Sequence, residues 1–94
     1  MYALDFHPAA LKEWQKLDNT IREQFKIKLQ ERLHNPCVLS AQIAKNRYKI
    51  KLRGVGYRLV YEVRDNELII LVIAVGKRER KAVYHSANSR KSQP

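Results

Sequence analysis

Lys49, Lys51 and Arg53 alternate with Tyr48, Ile50 and Leu52, and a further cation, Arg58, follows across Gly54-Val55-Gly56-Tyr57. This alternation is the period-two signature of a strand with one buried and one exposed face. Here the exposed face carries only positive charge. Like charges two residues apart on one face repel, so a strand surface of one sign implies an anionic partner. Further on, Gly76-Lys77-Arg78-Glu79-Arg80-Lys81 leads into Val83-Tyr84. If the end of that segment lies near the start of the strand carrying Arg58, the constellation is Lys49, Lys51, Arg58, Arg78 and Tyr84. Arginine offers a planar fork for phosphate oxygens, lysine a compact point charge, and tyrosine a surface on which a base can stack. The set suits a nucleic-acid backbone. A surface that docks an acidic protein segment would carry the same residues.

Other chemistries find no support. The three histidines, His7, His34 and His85, are scattered, and no spacing of His, Cys, Asp or Glu resembles a metal-ligand set. Gly54-Val55-Gly56 is too short for a phosphate-binding loop and falls in a hairpin rather than before a helix. The acids Glu62, Asp65, Glu67 and Glu79 show no paired arrangement at the basic face. No metal or cofactor is expected. Cys37 is the single cysteine, which rules out an intramolecular disulfide and points to a reducing, cytoplasmic setting. No apolar run of ~20 residues could span a membrane.

Charge placement sharpens the partner question. The net charge is +10, yet residues 1–44 hold six Lys/Arg against five Asp/Glu, whereas residues 45–94 hold thirteen against four. Nearly all the excess lies in the half that contains the alternating strand. Concentrated basic charge favours phosphate backbones or an acidic protein.

The elements that must position these residues follow from pattern. Tyr2, Leu4 and Phe6 alternate as a short strand. His7-Pro8 opens a helix striped by Ala10, Leu11, Trp14 and Leu17. Thr20-Ile21-Arg22-Glu23 has the form of a capping box for a second helix, with Ile21, Phe25, Leu29 and Leu33 on one face and Asn35-Pro36 as its stop. So short a break predicts an antiparallel helical hairpin. Residues 37–47 read as a connector. Three strands are expected over 48–53, about 56–64 and about 67–76, with Asp65-Asn66 as a two-residue turn. Leu68 through Val75 is apolar throughout and should be a central strand covered on both faces. With Gly54-Val55 as the loop, Leu52 pairs with Tyr57 and Lys51 with Arg58. Tyr48, Ile50, Leu52, Tyr57, Leu59, Tyr61 and Val63 then form the floor for the helices. The fold class is α/β of the α+β kind: one domain over 1–88, with an N-terminal strand and two-helix hairpin on an antiparallel-dominated sheet, and a polar tail at 89–94.

Taken jointly, Tyr48-Lys49-Ile50-Lys51-Leu52-Arg53, Gly56-Tyr57-Arg58-Leu59-Val60-Tyr61, Val75-Gly76-Lys77-Arg78-Glu79-Arg80 and Val83-Tyr84 resemble the RelE family of bacterial toxins. The Leu11-Lys12-Glu13-Trp14…Lys16-Leu17 pattern and Arg22-Glu23-Gln24 extend the resemblance over about residues 1–85. It implies a RelE-like fold and cleavage of mRNA in the ribosomal A site. It also implies neutralisation by a cognate antitoxin through an acidic segment. It assigns catalytic roles to Lys49, Lys51, Arg58, Arg78 and Tyr84, and RNA or ribosome contacts to Lys45, Arg47, Arg53, Lys77, Arg80 and Lys81. Residues 86–94 lack the apolar positions of a packed final helix.

The implied reaction is metal-independent attack of a 2′-hydroxyl on the adjacent phosphate, giving a 2′,3′-cyclic phosphate and a 5′-hydroxyl. Neighbouring cations disfavour the charged form of a lysine, which is the condition for one to act as a base. Lys49 takes that role, Lys51 and Arg58 stabilise charge, Arg78 assists at the phosphate or leaving group, and Tyr84 orients a base. Two rival readings keep the fold: a ParE-like toxin acting on DNA gyrase, and a non-catalytic RNA-binding module.

Overall fold

A short strand, two helices and four further strands are arranged so that one sheet face is covered by helices and the other carries the cations. The computed structural model describes residues 1–77. The elements are β1 (Ala3–Phe6), α1 (Pro8–Gln15), α2 (Asn19–His34), a 3₁₀ turn (Leu39–Ala41), β2 (Gln42–Ala44), β3 (Arg47–Leu52), β4 (Tyr57–Arg64) and β5 (Ile69–Lys77). The sheet order is β1-β5-β4-β3-β2. Only β1 with β5 is parallel; the other pairings are antiparallel.

Pro8 stands in the first turn of α1, and the His7 ring accepts the Ala9 N–H on Nδ1 at 3.1 Å. The capping box expected at Thr20 does not form, because α2 begins at Asn19 with Asp18 as its N-cap. Thr20 therefore lies inside the first turn, and Glu23 pairs with Lys26 at 2.9 Å. Arg22 turns back instead. Its Nη1 donates to the carbonyls of Gln15 at 3.4 Å and Leu17 at 3.1 Å, satisfying the end of α1 that the chain break leaves open. Glu13 ties α1 to the sheet by accepting the Val75 N–H on Oε1 at 3.1 Å.

Ile21, Phe25 and Leu29 bury the predicted face of α2 against Ile50, Leu59, Tyr61, Val63 and the inward residues of β5, and Leu33 packs at the margin. The expected floor is confirmed. Burial on the opposite face is just as complete at Val60, Ile73 and Ala74, so β5 is covered on both sides from Ile70 to Val75. A register shift between Val60 and Tyr61 leaves Ile73 as an extra residue on β5.

Three expectations need correction. The connector contains β2, three residues too short for a periodic signal to show. The β3–β4 pairing closes at Leu52–Tyr57, so the loop runs over Arg53–Gly56, with Gly56 at φ 70°, a conformation that favours glycine. The Asp65-Asn66 turn is likewise longer: Arg64 pairs with Ile69, and Leu68 sits exposed in the turn at φ 54° rather than starting the strand.

One polar cluster lies within the core. The fully buried Tyr61 hydroxyl donates to the Pro36 carbonyl at 2.6 Å and accepts from Arg32 Nη1 at 2.8 Å. Tyr61→Phe removes the hydroxyl from the buried Pro36 carbonyl and takes one of two acceptors from Arg32 Nη1, and should cost about 1–3 kcal/mol. Urea denaturation measures this, and an unchanged midpoint would contradict it.

Tyr48 stacks on Tyr61 at 5.7 Å between centroids. The neighbouring Cys37 thiol, reinforced by burial, pushes the Tyr48 hydroxyl up from 10.0 to about 12. A group held neutral in the fold keeps its full contribution below its unfolded pKa and loses it as pH rises through the folded value. Stability should therefore fall between about pH 10 and 12. Tyr48→Phe should lessen that fall in urea midpoints taken across the range; an equal fall in the variant would contradict the assignment.

Candidate phosphate-binding site

The β3–β4 hairpin builds the site. Lys51 lies directly opposite Arg58, and Lys49 opposite Val60, as the register argument required. Directly opposed residues share a face, so Lys49, Lys51 and Arg58 stand together on the side away from the helices. Lys49 and Arg58 are half-buried, and Lys51 is exposed. Val60, Ile73 and Ala74 form a separate buried apolar cluster, and Val60 follows Arg58 along the same face of β4. Arg58 also faces Gly76 across β4–β5, and Tyr57 faces Lys77, whose Nζ lies 5.9 Å from the Tyr57 ring centroid. The end of β5 is thus delivered beside the start of β4. Arg78, Arg80, Lys81 and Tyr84 lie outside the described residues, as does His85.

Two clefts open around this hairpin. One, of about 230 Å³, is lined by Lys51, Leu52, Arg53, Gly56, Tyr57 and Arg58. The other, of about 450 Å³, lies at the outer edge of β3, with walls from Lys49, Lys51, Arg53 and two residues the sequence did not single out, Lys28 and Arg32 of α2. Their four-residue spacing puts both on one helix face. Only the packing of α2 against β3 shows that this face borders the strand. Among the described residues, no carboxylate lines either cleft.

The opposite end of the same face is different, and here the expectation of a one-signed surface is corrected. Glu62 lies opposite Arg47, accepting from its Nε at 3.3 Å, and also accepts from Arg64 Nε at 3.2 Å. Arg64 reaches Glu67 at 3.8 Å as well. Arg47 is therefore engaged with Glu62, its side chain 17% exposed. Lys45 is exposed in the β2–β3 turn beside Asn46, which takes φ 63°. The hairpin end, by contrast, gathers Lys49, Lys51, Arg53 and Arg58 around the two clefts. Among the described residues, no group of three or more His, Cys, Asp or Glu side chains could hold a metal ion.

A small helix-backed sheet that gathers Lys49, Lys51 and Arg58 on its outer face defines a class of basic α+β domain. Comparison with known proteins narrows it. The model of the family described as "ParE toxin of type II toxin-antitoxin system, parDE" matches residues 4–82. The mRNA interferase toxin RelE of Escherichia coli K12 is 52% identical over 91 residues, 95% of this chain and 96% of that protein. The crystal structure of the isolated E. coli RelE toxin superposes with a TM-score of 0.82 at 50% identity, covering 96% of this chain and 98% of that one. RelE in the intact E. coli RelBE toxin–antitoxin complex gives 0.81 at 51% identity, covering 85% and 100%. The chain belongs to the RelE/ParE family of type II toxin–antitoxin toxins.

Proposed function

We propose that this protein is the toxin of a type II toxin–antitoxin pair and an endoribonuclease that cuts mRNA in the ribosomal A site. The observation that carries the reading is the register that places Lys49, Lys51 and Arg58 on one face, in a chain half identical to an mRNA interferase over nearly its whole length. Lys49 takes the proton of the substrate 2′-hydroxyl. The 2′-oxygen then bonds to phosphorus, the bond from phosphorus to the 5′-oxygen breaks, and the departing oxygen takes its proton from water. Arg58 and Lys51 hold the charge that builds on the phosphorane oxygens, and Arg78 assists at the phosphate or leaving group. Tyr84 orients the neighbouring base. Lys45, Arg47, Arg53, Lys77, Arg80 and Lys81 supply contacts to RNA and ribosome. The set needs no cofactor. Its acid–base equipment is weak, so the ribosome contributes alignment of the substrate, worth several kcal/mol.

The setting is the cytoplasm, with a cognate antitoxin as neutralising partner. The relative crystallised as a toxin–antitoxin complex supports that partner class. No helix of the described residues is long and apolar enough to cross a membrane.

The family model carries the ParE name, so action on DNA gyrase is the reading to test against. Mapping 3′ ends on ribosome-bound mRNA, beside a gyrase supercoiling assay, separates the two. Discrete cuts with supercoiling unaffected are expected. Intact mRNA with inhibited supercoiling would overturn the proposal.

A further inference from the structure

The larger cleft lies where β3 loses its neighbour, since β2 pairs only with Arg47 and Tyr48. Its walls are Lys28 and Arg32 from α2, Ser40 from the 3₁₀ turn, Lys49 and Lys51 from β3, and Arg53 from the hairpin loop. Among the described residues, five cations and a hydroxyl line this space. Basic side chains gathered in one cleft focus their field and raise the local concentration of anions.

Arg32 is fixed in place. Its Nη1 donates to the Lys49 carbonyl at 3.2 Å and to the Tyr61 hydroxyl at 2.8 Å. Nε and Nη2 are left over, and the guanidinium is already ordered before any ligand arrives. Lys28 stands one turn earlier on the same helix face, exposed. Lys51 and Arg53 line both this cleft and the smaller one beside Arg58. The two spaces therefore form one continuous cationic track, from Tyr57 and Arg58 around the edge of β3 to α2.

From this we infer that the cleft on α2 is a second phosphate subsite. It holds the backbone of the RNA strand next to the scissile phosphate, with Lys28 and Arg32 as its outer contacts. The inference rests on reading Lys49, Lys51 and Arg58 as the scissile-phosphate site. An RNA backbone fits better than an acidic peptide because the walls offer dispersed donors, with Ala41 the one apolar residue among the described lining. Phosphate contacts need only the donors, whereas peptide docking relies on buried apolar anchors.

The test is binding of the full chain to a fluorescent single-stranded 12-nucleotide 2′-O-methyl RNA, which 2′-hydroxyl attack cannot cut, measured over a range of salt. Lys28→Gln should weaken binding roughly fivefold and reduce the slope of log affinity against log salt by about 0.7, the value for one lost phosphate contact on a single strand. Lys28→Glu should weaken it further. Lys16→Gln removes the same charge from the exposed end of α1 and should change neither quantity. Lys28 is exposed, so these variants keep the fold, and an unchanged urea midpoint verifies it.

If both Lys28 variants bind RNA as the unmodified chain does while Lys51→Gln does not, the second subsite is wrong and the catalytic reading stands. If Lys51→Gln and Arg58→Gln also bind normally, the phosphate-site reading fails with it. If the Lys28 variants leave RNA binding intact but weaken an acidic antitoxin peptide, the cleft is a protein-docking site and the inference is overturned.

Discussion

Replacing Arg58 by alanine should slow cleavage of ribosome-bound mRNA by about 10²–10³-fold, the usual loss when a fixed donor aimed at developing charge is removed. Arg58 is half-buried and faces Lys51 on one side and Gly76 on the other. A half-buried guanidinium is screened less by solvent than a fully exposed one, so its attraction for a phosphorane is the stronger. Arg58→Lys retains the charge but loses the planar fork that meets two oxygens at once, and should recover only part of the rate. Single-turnover kinetics on stalled ribosomes measure both. A loss below threefold in Arg58→Ala would remove Arg58 from the transition state.

Lys49→Ala should have the larger effect, about 10²–10⁴-fold, because a positioned general base is lost. The informative companion is Lys49→Arg. Guanidinium keeps the positive charge but does not deprotonate in a protein, so it cannot accept the 2′-hydroxyl proton. If Lys49 is the base, arginine fails to rescue. If arginine restores most of the rate, Lys49 acts through its charge alone and the base lies elsewhere. The Lys49 backbone is held from α2 by Arg32 at 3.2 Å, independently of the side chain, so these changes should leave the strand in place.

The parts of this fold that were legible in the sequence are those with a regular period and an unambiguous sign. Tyr48 to Arg53 alternates without exception, and Ile21, Phe25 and Leu29 recur every four residues, so both the floor and the face that covers it could be assigned. The Lys51–Arg58 pairing survived even though the loop is longer than expected, because lengthening the closure from Gly54-Val55 to Arg53–Gly56 adds one residue on each side and leaves the register unchanged. What could not be read depends on distant contacts. α2 begins after Asp18 and not Thr20, and Arg22 reaches back to the end of α1, a contact that no local spacing reveals. Leu68 looks like strand by hydrophobicity, yet the turn places it in the left-handed region, exposed.

The site divides in the same way. The cations of β3 and β4 could be brought together by counting, because β pairing converts sequence distance into position. Lys28 and Arg32 could not, since their i, i+4 spacing is that of any solvated helix face. Glu62 showed no paired arrangement in the sequence, because its partners are set by strand pairing and not by spacing; it lies on the outer face, ion-paired with Arg47 and Arg64.

The central claim is that these cations activate the RNA's own 2′-hydroxyl, and the most direct test changes one atom of the substrate. The cut nucleotide is first mapped on ribosome-bound mRNA. A message is then prepared with 2′-deoxyribose at that nucleotide alone and presented to the full chain on the same ribosomes. The unmodified message should yield fragments ending in a 2′,3′-cyclic phosphate and beginning with a 5′-hydroxyl, and the deoxy-substituted one should remain intact at that position. Equal cutting of both messages, or products carrying a 5′-phosphate, would contradict the account.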